Sequence, residues 1–104
     1  MTRAAVLRES ELWVGEMRGL VVEGRRLLLV RTEEAICVYE DRCAHLGLPL
    51  SAGKLENGVI TCPHHRYAYD ARTGRGINPG NVALKPLASC VRGQDIEVEL
   101  GGER

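Results

Sequence analysis

The sequence predicts an all-β fold of antiparallel strands, on the basis of two observations. Short β-branched or aliphatic runs alternate with polar turns, which is the pattern of strands and hairpins. No window shows a sustained apolar period of 3.6 residues, so helix content should be low. The longest uninterrupted aliphatic run, residues 27–30, is far too short for a membrane helix.

The first part of the chain supplies most of these runs. A short apolar segment at residues 3–8 is followed by a polar break at residues 9–11 and by the segment 12–17. From there the pattern is that of β-strands, with a turn at residues 23–25 between two of them. The expected strands are residues 20–22, 27–31 and 35–40.

The middle of the chain, about residues 40–81, differs because it is rich in glycine and proline. Strand-like patterns return at residues 82–84 and 96–100, before a polar tail. We therefore expect a single domain over residues 1–104. Its base strands lie in about 1–39 and 82–104, and the segment of about 40–81 is inserted between them.

Composition narrows the range of partners and locations. The 104 residues are 44% hydrophobic, and 14 Lys+Arg balance 14 Asp+Glu without a basic stripe, so no nucleic-acid partner is indicated. The N-terminal residues lack the apolar core of an export signal, and no segment could span a membrane. The expectation is a cytoplasmic monomer.

All three histidines and two of the four cysteines fall within residues 43–65. They form two short groups, Cys43-Ala44-His45 and Cys62-Pro63-His64-His65, separated by the 16 residues 46–61. Thiolate and imidazole together suit iron or zinc, so this stretch predicts a metal site. Structural zinc sites usually space their first ligand pair by two to four residues, whereas here one residue intervenes.

The other two cysteines, Cys37 and Cys90, each lie in an alternating apolar segment. This setting favours buried free thiols over a disulfide, in keeping with a reducing compartment.

Cys-X-His followed by Cys-X-X-His at this separation resembles the Rieske motif, which holds a 2Fe-2S cluster with two Cys on one iron and two His on the other. The resemblance implies one Rieske-type 2Fe-2S cluster bound by Cys43, His45, Cys62 and His65. His64 would be a neighbouring, partly exposed ring. The implied fold is a Rieske-type antiparallel β-sandwich with a small inserted cluster-binding subdomain.

Three further stretches indicate which group of Rieske proteins the chain resembles. They are Leu12-Trp13-Val14-Gly15-Glu16-Met17, Gly58-Val59-Ile60-Thr61-Cys62 and Thr73-Gly74-Arg75-Gly76-Ile77-Asn78-Pro79. They are similar to the Rieske ferredoxin component of toluene monooxygenase systems. The resemblance implies an electron carrier without catalytic residues of its own. It would take one electron from an NADH-dependent flavoprotein reductase and deliver it to the oxygenase, a diiron hydroxylase that oxidises aromatic hydrocarbons or alkenes.

Three alternatives remain open from the sequence. The chain could be the ferredoxin of a ring-hydroxylating dioxygenase, or a small Rieske subunit of a nitrite reductase. Outside the electron-transfer proteins, it could be a structural zinc-binding module, since two Cys and two His also form a zinc ligand set.

The resemblance also predicts the reduction potential. High-potential Rieske proteins carry a disulfide between the ligand loops and a Ser after the last His, but Leu48, His64 and Tyr67 occupy those places here. We therefore expect a potential near about −150 mV rather than +300 mV. Tyr69 falls where high-potential members place a Tyr hydroxyl bonded to a cysteine sulfur, which would raise the potential.

Finally, Gly47, Gly53 and Gly58 are expected to supply positive φ angles where the insert turns back. Pro79, in a loop at residues 76–81, is the candidate for a lid over the cluster. Together with the rings of His45, His64 and His65, it would form the rim on which a redox partner docks.

Overall fold

The computed structural model describes residues 3–43, 49–63, 67–78 and 80–100. Within these ranges the protein has eleven β-strands and two three-residue 3-10 turns, Glu9–Glu11 and Leu50–Ala52. No helix in them is long and apolar enough to cross a membrane. The strands are β1 (Arg3–Arg8), β2 (Met17–Val22), β3 (Arg25–Arg31), β4 (Ile36–Glu40), β5 (Lys54–Glu56), β6 (Val59–Thr61), β7 (Ala68–Asp70), β8 (Gly76–Asn78), β9 (Pro86–Leu87), β10 (Ser89–Arg92) and β11 (Asp95–Glu99).

The strands form three sheets, and every strand pairing is antiparallel. The terminal sheet has the strand order β1-β11-β10, and the central sheet has the order β2-β3-β4-β9. The insert sheet, β5-β6-β7-β8, comes from one continuous segment between β4 and β9. The predicted all-β antiparallel architecture is confirmed.

The described residues form two hydrophobic cores, and strand β3 contributes side chains to both of them. Its residues Leu27 to Val30 are completely buried. Leu27 and Leu29 pack in the core that contains Ile96 and Val98 of the terminal sheet, whereas Leu28 and Val30 pack in the core that contains residues of the insert sheet. Because successive side chains of a strand point to opposite faces, an unbroken aliphatic run is what a strand buried on both faces requires. The central sheet is therefore the middle layer.

Two predicted elements of the C-terminal half were wrong. Residues 82–84 are not a strand, since Ala83 forms only an isolated bridge to Arg75. Their backbone instead bonds the turn after β7: Gly76 N–H donates to the Val82 carbonyl and Leu84 N–H to the Gly74 carbonyl. The predicted loop at residues 76–81 begins with strand β8, which pairs with β7. The short strands β9 and β10 were not predicted.

The prediction of free thiols agrees with the structure, since Cys37 and Cys90 form no disulfide. The prediction that they are buried was wrong, because Cys37 is half-buried and Cys90 is exposed. Cys90 lies opposite Glu97 on β11, whereas the neighbouring buried residue Ile96 lies opposite Val91. Cys90 thus shares the solvent-facing side of the terminal sheet with Glu97.

Tyr39 joins the central sheet to the segment that follows β7. Its side chain is buried, and its hydroxyl donates a 2.8 Å hydrogen bond to the Ala71 carbonyl. Burial raises the pKa of the Tyr39 hydroxyl well above its ordinary value, with a further contribution from Cys37, so the hydroxyl remains a donor. Gly74, at φ +80°, lies against the ring, and a Cβ there would approach Tyr39 Cε1 to 2.8 Å. This contact fixes the insert against the central sheet.

Candidate metal centre

Two of the predicted ligands, Cys43 and Cys62, lie within the described residues. Cys43 follows β4 and Cys62 follows β6, and each is only 1% exposed. Both belong to the core between the central and insert sheets, and neither forms a disulfide. The other predicted residues of the site lie outside the described ranges; they are His45, Gly47, Leu48, His64, His65 and Pro79.

The first ligand loop, residues 42–49, begins and ends beside one side chain. Asp41, at the end of β4, donates its backbone N–H to the Arg26 carbonyl. Its carboxylate accepts hydrogen bonds from the backbone N–H groups of Leu50 at 2.7 Å and Ser51 at 2.9 Å. These bonds join the chain just before Cys43 to the 3-10 turn that follows the loop.

The second ligand loop, residues 63–66, is closed by the backbone itself. Cys62 N–H donates a 2.8 Å hydrogen bond to the Tyr67 carbonyl, next to the last β6–β7 pair, Thr61 and Ala68. The position of Cys62 therefore follows from the pairing of two strands in the insert sheet.

Gly53, directly after the 3-10 turn Leu50–Ala52, packs closely against the end of β6 and the residue after Cys62. A Cβ on Gly53 would overlap the Thr61 carbonyl oxygen and come within 3.1 Å of Pro63 Cδ. The expectation of a positive φ was wrong here, because Gly53 has φ −88°; the site requires glycine for space. At Gly58 the expectation is confirmed, with φ +77° in the β5–β6 turn.

Tyr69 contacts the site from β7. It is fully buried, and its hydroxyl oxygen lies 3.5 Å from Cys43 Sγ. A thiolate can only accept a hydrogen bond, so a metal-bound Cys43 would accept one from the Tyr69 hydroxyl. This contact agrees with the predicted bond between Tyr69 and a cysteine sulfur. Tyr67, nearer the second loop, is half-buried.

These residues fit a metal–sulfur cofactor. The side chains of Cys43 and Cys62 are buried in one core without a disulfide, and a phenol donor reaches one of them. Thiolates buried in an apolar core are unfavourable unless a metal or a donor compensates their charge. Two thiolates and two imidazoles are the donor set of a histidine-ligated 2Fe-2S cluster, and the two cysteines would supply its thiolates.

The Rieske [2Fe-2S] domain matches residues 2–89 of the chain, which include both ligand loops and ten of the strands in whole or part. The chain belongs to this family. Membership confirms the predicted Rieske-type fold and establishes one Rieske-type 2Fe-2S cluster as the cofactor.

Similar Rieske proteins include ferredoxin components of oxygenase systems. The alkene monooxygenase ferredoxin component of Xanthobacter autotrophicus is 37% identical over 85 residues, 81% of this chain and 70% of that protein. The naphthalene 1,2-dioxygenase ferredoxin component of Pseudomonas aeruginosa is 32% identical over 91 residues, 86% of this chain and 88% of that protein.

A solved complex of reduced oxygenase and oxidized ferredoxin in carbazole 1,9a-dioxygenase contains a chain of similar structure. Its TM-score is 0.84 at 28% identity, and the match covers 92% of this chain and 91% of that one. The predicted class, a Rieske electron carrier rather than an enzyme in its own right, is confirmed by these similarities.

Two residues that build the Rieske site were missed by sequence reasoning or assigned the wrong role. Asp41 was missed because its partners, Leu50 and Ser51, are nine and ten residues away and no local motif links them. Gly53 was singled out, but for its backbone angle rather than for its contact with Thr61. Only the tertiary contacts show why each residue is needed: those of Asp41 with Leu50 and Ser51, and that of Gly53 with Thr61.

Proposed function

We propose that this Rieske protein is the ferredoxin of a multicomponent aromatic or alkene monooxygenase. It takes one electron from an NADH-dependent flavoprotein reductase and delivers it to a diiron hydroxylase. It works as a monomer in the cytoplasm. The observation that supports this most is the pair of buried thiols, Cys43 and Cys62, in a chain that matches oxygenase ferredoxins over most of its length.

In the proposed ligand set, Cys43 and Cys62 bind one iron and His45 and His65 bind the other. Residues 40–81 form the cluster-binding part of a single domain. When bound, the cluster supplies reversible transfer of one electron. The core around both cysteines excludes water from the sulfur side, and Tyr69 places a hydrogen-bond donor near Cys43.

The electron would enter and leave through the imidazole side. His45 and His65, with His64 and Pro79 beside them, form the proposed docking rim. Both cysteines are 1% exposed, so a partner cannot reach the cluster by way of their sulfurs. The two partners would then use the same rim in turn, which suits a small shuttling carrier.

The ligand set gives a direct prediction for the adjacent histidines. His65→Ala is expected to lose the Rieske electron paramagnetic resonance (EPR) signal and most of its iron, because one iron would lose a protein ligand. His64→Ala, the matched control one residue away, should keep about two irons per chain and the signal. Loss of the cluster in His64→Ala with retention in His65→Ala would reverse the assignment.

The partner assignment is tested by reconstitution. The purified protein is combined with its reductase, NADH, and either a diiron hydroxylase or a ring-hydroxylating dioxygenase. The proposal expects substrate hydroxylation with the diiron enzyme, and none when Cys43→Ala replaces the wild-type carrier.

A ring-hydroxylating dioxygenase is the second candidate partner, because the naphthalene and carbazole systems contain similar ferredoxins. Coupled oxygenation with the dioxygenase, and none with the diiron hydroxylase, would replace the first proposal by this one. If neither enzyme accepts electrons while the cluster is intact, both partner assignments are wrong.

A further inference from the structure

Asp41 is the only charged side chain in the described ranges that is buried, with 4% of its surface exposed. One carboxylate oxygen, Oδ1, accepts from the N–H groups of both Leu50 and Ser51, at 2.7 and 2.9 Å. The other, Oδ2, accepts from Ser51 Oγ at 2.7 Å. Burying a carboxylate is unfavourable unless such hydrogen bonds compensate it, so the structure holds this group in one orientation.

The position of Asp41 gives these bonds their importance. It lies two residues before Cys43, and its partners follow the first ligand loop directly. The second loop is closed by a backbone bond between Cys62 and Tyr67, next to paired strands. Among the described residues, the first loop has no comparable backbone bond between its two ends. Within the described ranges, the hydrogen bonds that join its two ends are those of the Asp41 side chain.

The surroundings leave this carboxylate little freedom. Gly19 of β2 lies against it, and a Cβ on Gly19 would come within 2.5 Å of Ser51 Oγ and 2.8 Å of Asp41 Oδ2. Three segments therefore meet at the carboxylate: β2, the end of β4 and the 3-10 turn after the loop. A tightly packed side chain with a fixed set of partners can transmit its position to its neighbours.

We propose that Asp41 is a positioning residue that clamps the base of the first ligand loop and thereby holds Cys43 in place for the cluster. This inference rests on the proposed ligand set. The clamp acts through geometry: its three hydrogen bonds, two from amides and one from Ser51 Oγ, keep residue 41 and residues 50–51 together, which limits the movement of the cysteine between them.

The test compares two variants as holoproteins. Asp41→Asn retains an Oδ1 that can accept both amide bonds, and its Nδ2 can donate to Ser51 Oγ. We expect its iron release to a chelator to stay within about twofold of wild type, with an unchanged EPR spectrum. Asp41→Ala removes all three bonds and is expected to release iron about tenfold faster or more, with a broadened spectrum.

Asp70→Ala is the matched control, because Asp70 Oδ1 likewise accepts a backbone amide, that of Arg72 at 2.8 Å, but outside both ligand loops. It should release iron at the wild-type rate. Wild-type iron release and EPR spectrum in Asp41→Ala would overturn the proposal. So would rapid release in Asp41→Asn equal to that in Asp41→Ala, because the amide bonds would then not be the cause.

If Asp41→Ala yields no folded protein, Ser51→Ala replaces it. This variant loses only the bond to Oδ2, and we expect about two- to fivefold faster iron release; a wild-type rate would overturn the proposal. Failure of the ligand assignment is distinguishable, since the wild-type protein would then lack two irons per chain and the Rieske signal. With both present in wild type, a negative result concerns Asp41 alone.

Discussion

Replacing Gly53 with alanine is expected to lower the thermal midpoint of the protein by about 12 °C or more and to reduce its iron content. The added Cβ would overlap the Thr61 carbonyl oxygen, which belongs to backbone and cannot rotate away. Forced overpacking of this kind costs about 3 kcal/mol at the upper end of its usual range. In a domain of this size each kcal/mol corresponds to roughly 4–8 °C. Thermal scans and iron analysis measure both effects.

The iron loss should accompany the thermal effect because Thr61 directly precedes Cys62, and relief of the overlap moves the end of β6. Gly80→Ala is the control: among the described residues, a Cβ there would meet only the Gly76 carbonyl oxygen, at 4.0 Å, so little change is expected. A Gly53→Ala protein with the midpoint and iron content of Gly80→Ala would contradict the close packing of Gly53 against the end of β6.

Replacing Tyr69 with phenylalanine is expected to lower the reduction potential by about 20–65 mV. The Tyr69 hydroxyl lies 3.5 Å from Cys43 Sγ. A hydrogen bond to the sulfur stabilises the reduced site, which carries one more negative charge, more than the oxidised site. A differential of about 0.5–1.5 kcal/mol gives this shift for transfer of one electron. A redox titration followed by visible absorption or circular dichroism measures it.

Tyr39→Phe is the matched control for this prediction. Tyr39 is also a buried tyrosine, but its hydroxyl donates to the Ala71 carbonyl rather than to sulfur. Its removal should destabilise the protein by about 1–3 kcal/mol, because a buried acceptor loses its donor, and should leave the potential nearly unchanged. An unchanged potential in Tyr69→Phe, or an equal shift in both variants, would rule out a specific effect of the bond to sulfur.

Strands could be predicted from the sequence where a run of apolar residues coincides with a strand that is buried in the fold. The run Leu27–Val30 indicated a strand, and the polar turn at residues 23–25 indicated the hairpin that joins β2 to β3. The pattern failed between residues 76 and 92. There the short strands β8, β9 and β10 lie at the edges of their sheets, with at least one exposed residue in each. Such edge strands need little apolar alternation, so their sequence does not distinguish them from loops.

The residues of the site that could be predicted from the sequence are those that belong to short local motifs. Spacing brought the cysteines and histidines into two groups, and the resemblance to Rieske proteins singled out Tyr69 from among the three tyrosines. Asp41 and Gly53 could not be understood in this way. Asp41 acts on amides beyond the loop, and Gly53 is constrained by a strand that follows it in the chain. Both roles arise from tertiary contacts between segments that are separated in the sequence.

EPR of the purified protein before and after reduction with dithionite, with iron and zinc analysis, tests the central claim most directly. The proposed ligands predict a silent oxidised state, a reduced signal with the low average g value of a histidine-ligated 2Fe-2S cluster, and about two irons per chain. A colourless, EPR-silent protein with one tightly bound zinc would contradict electron transfer and leave a structural metal domain in its place.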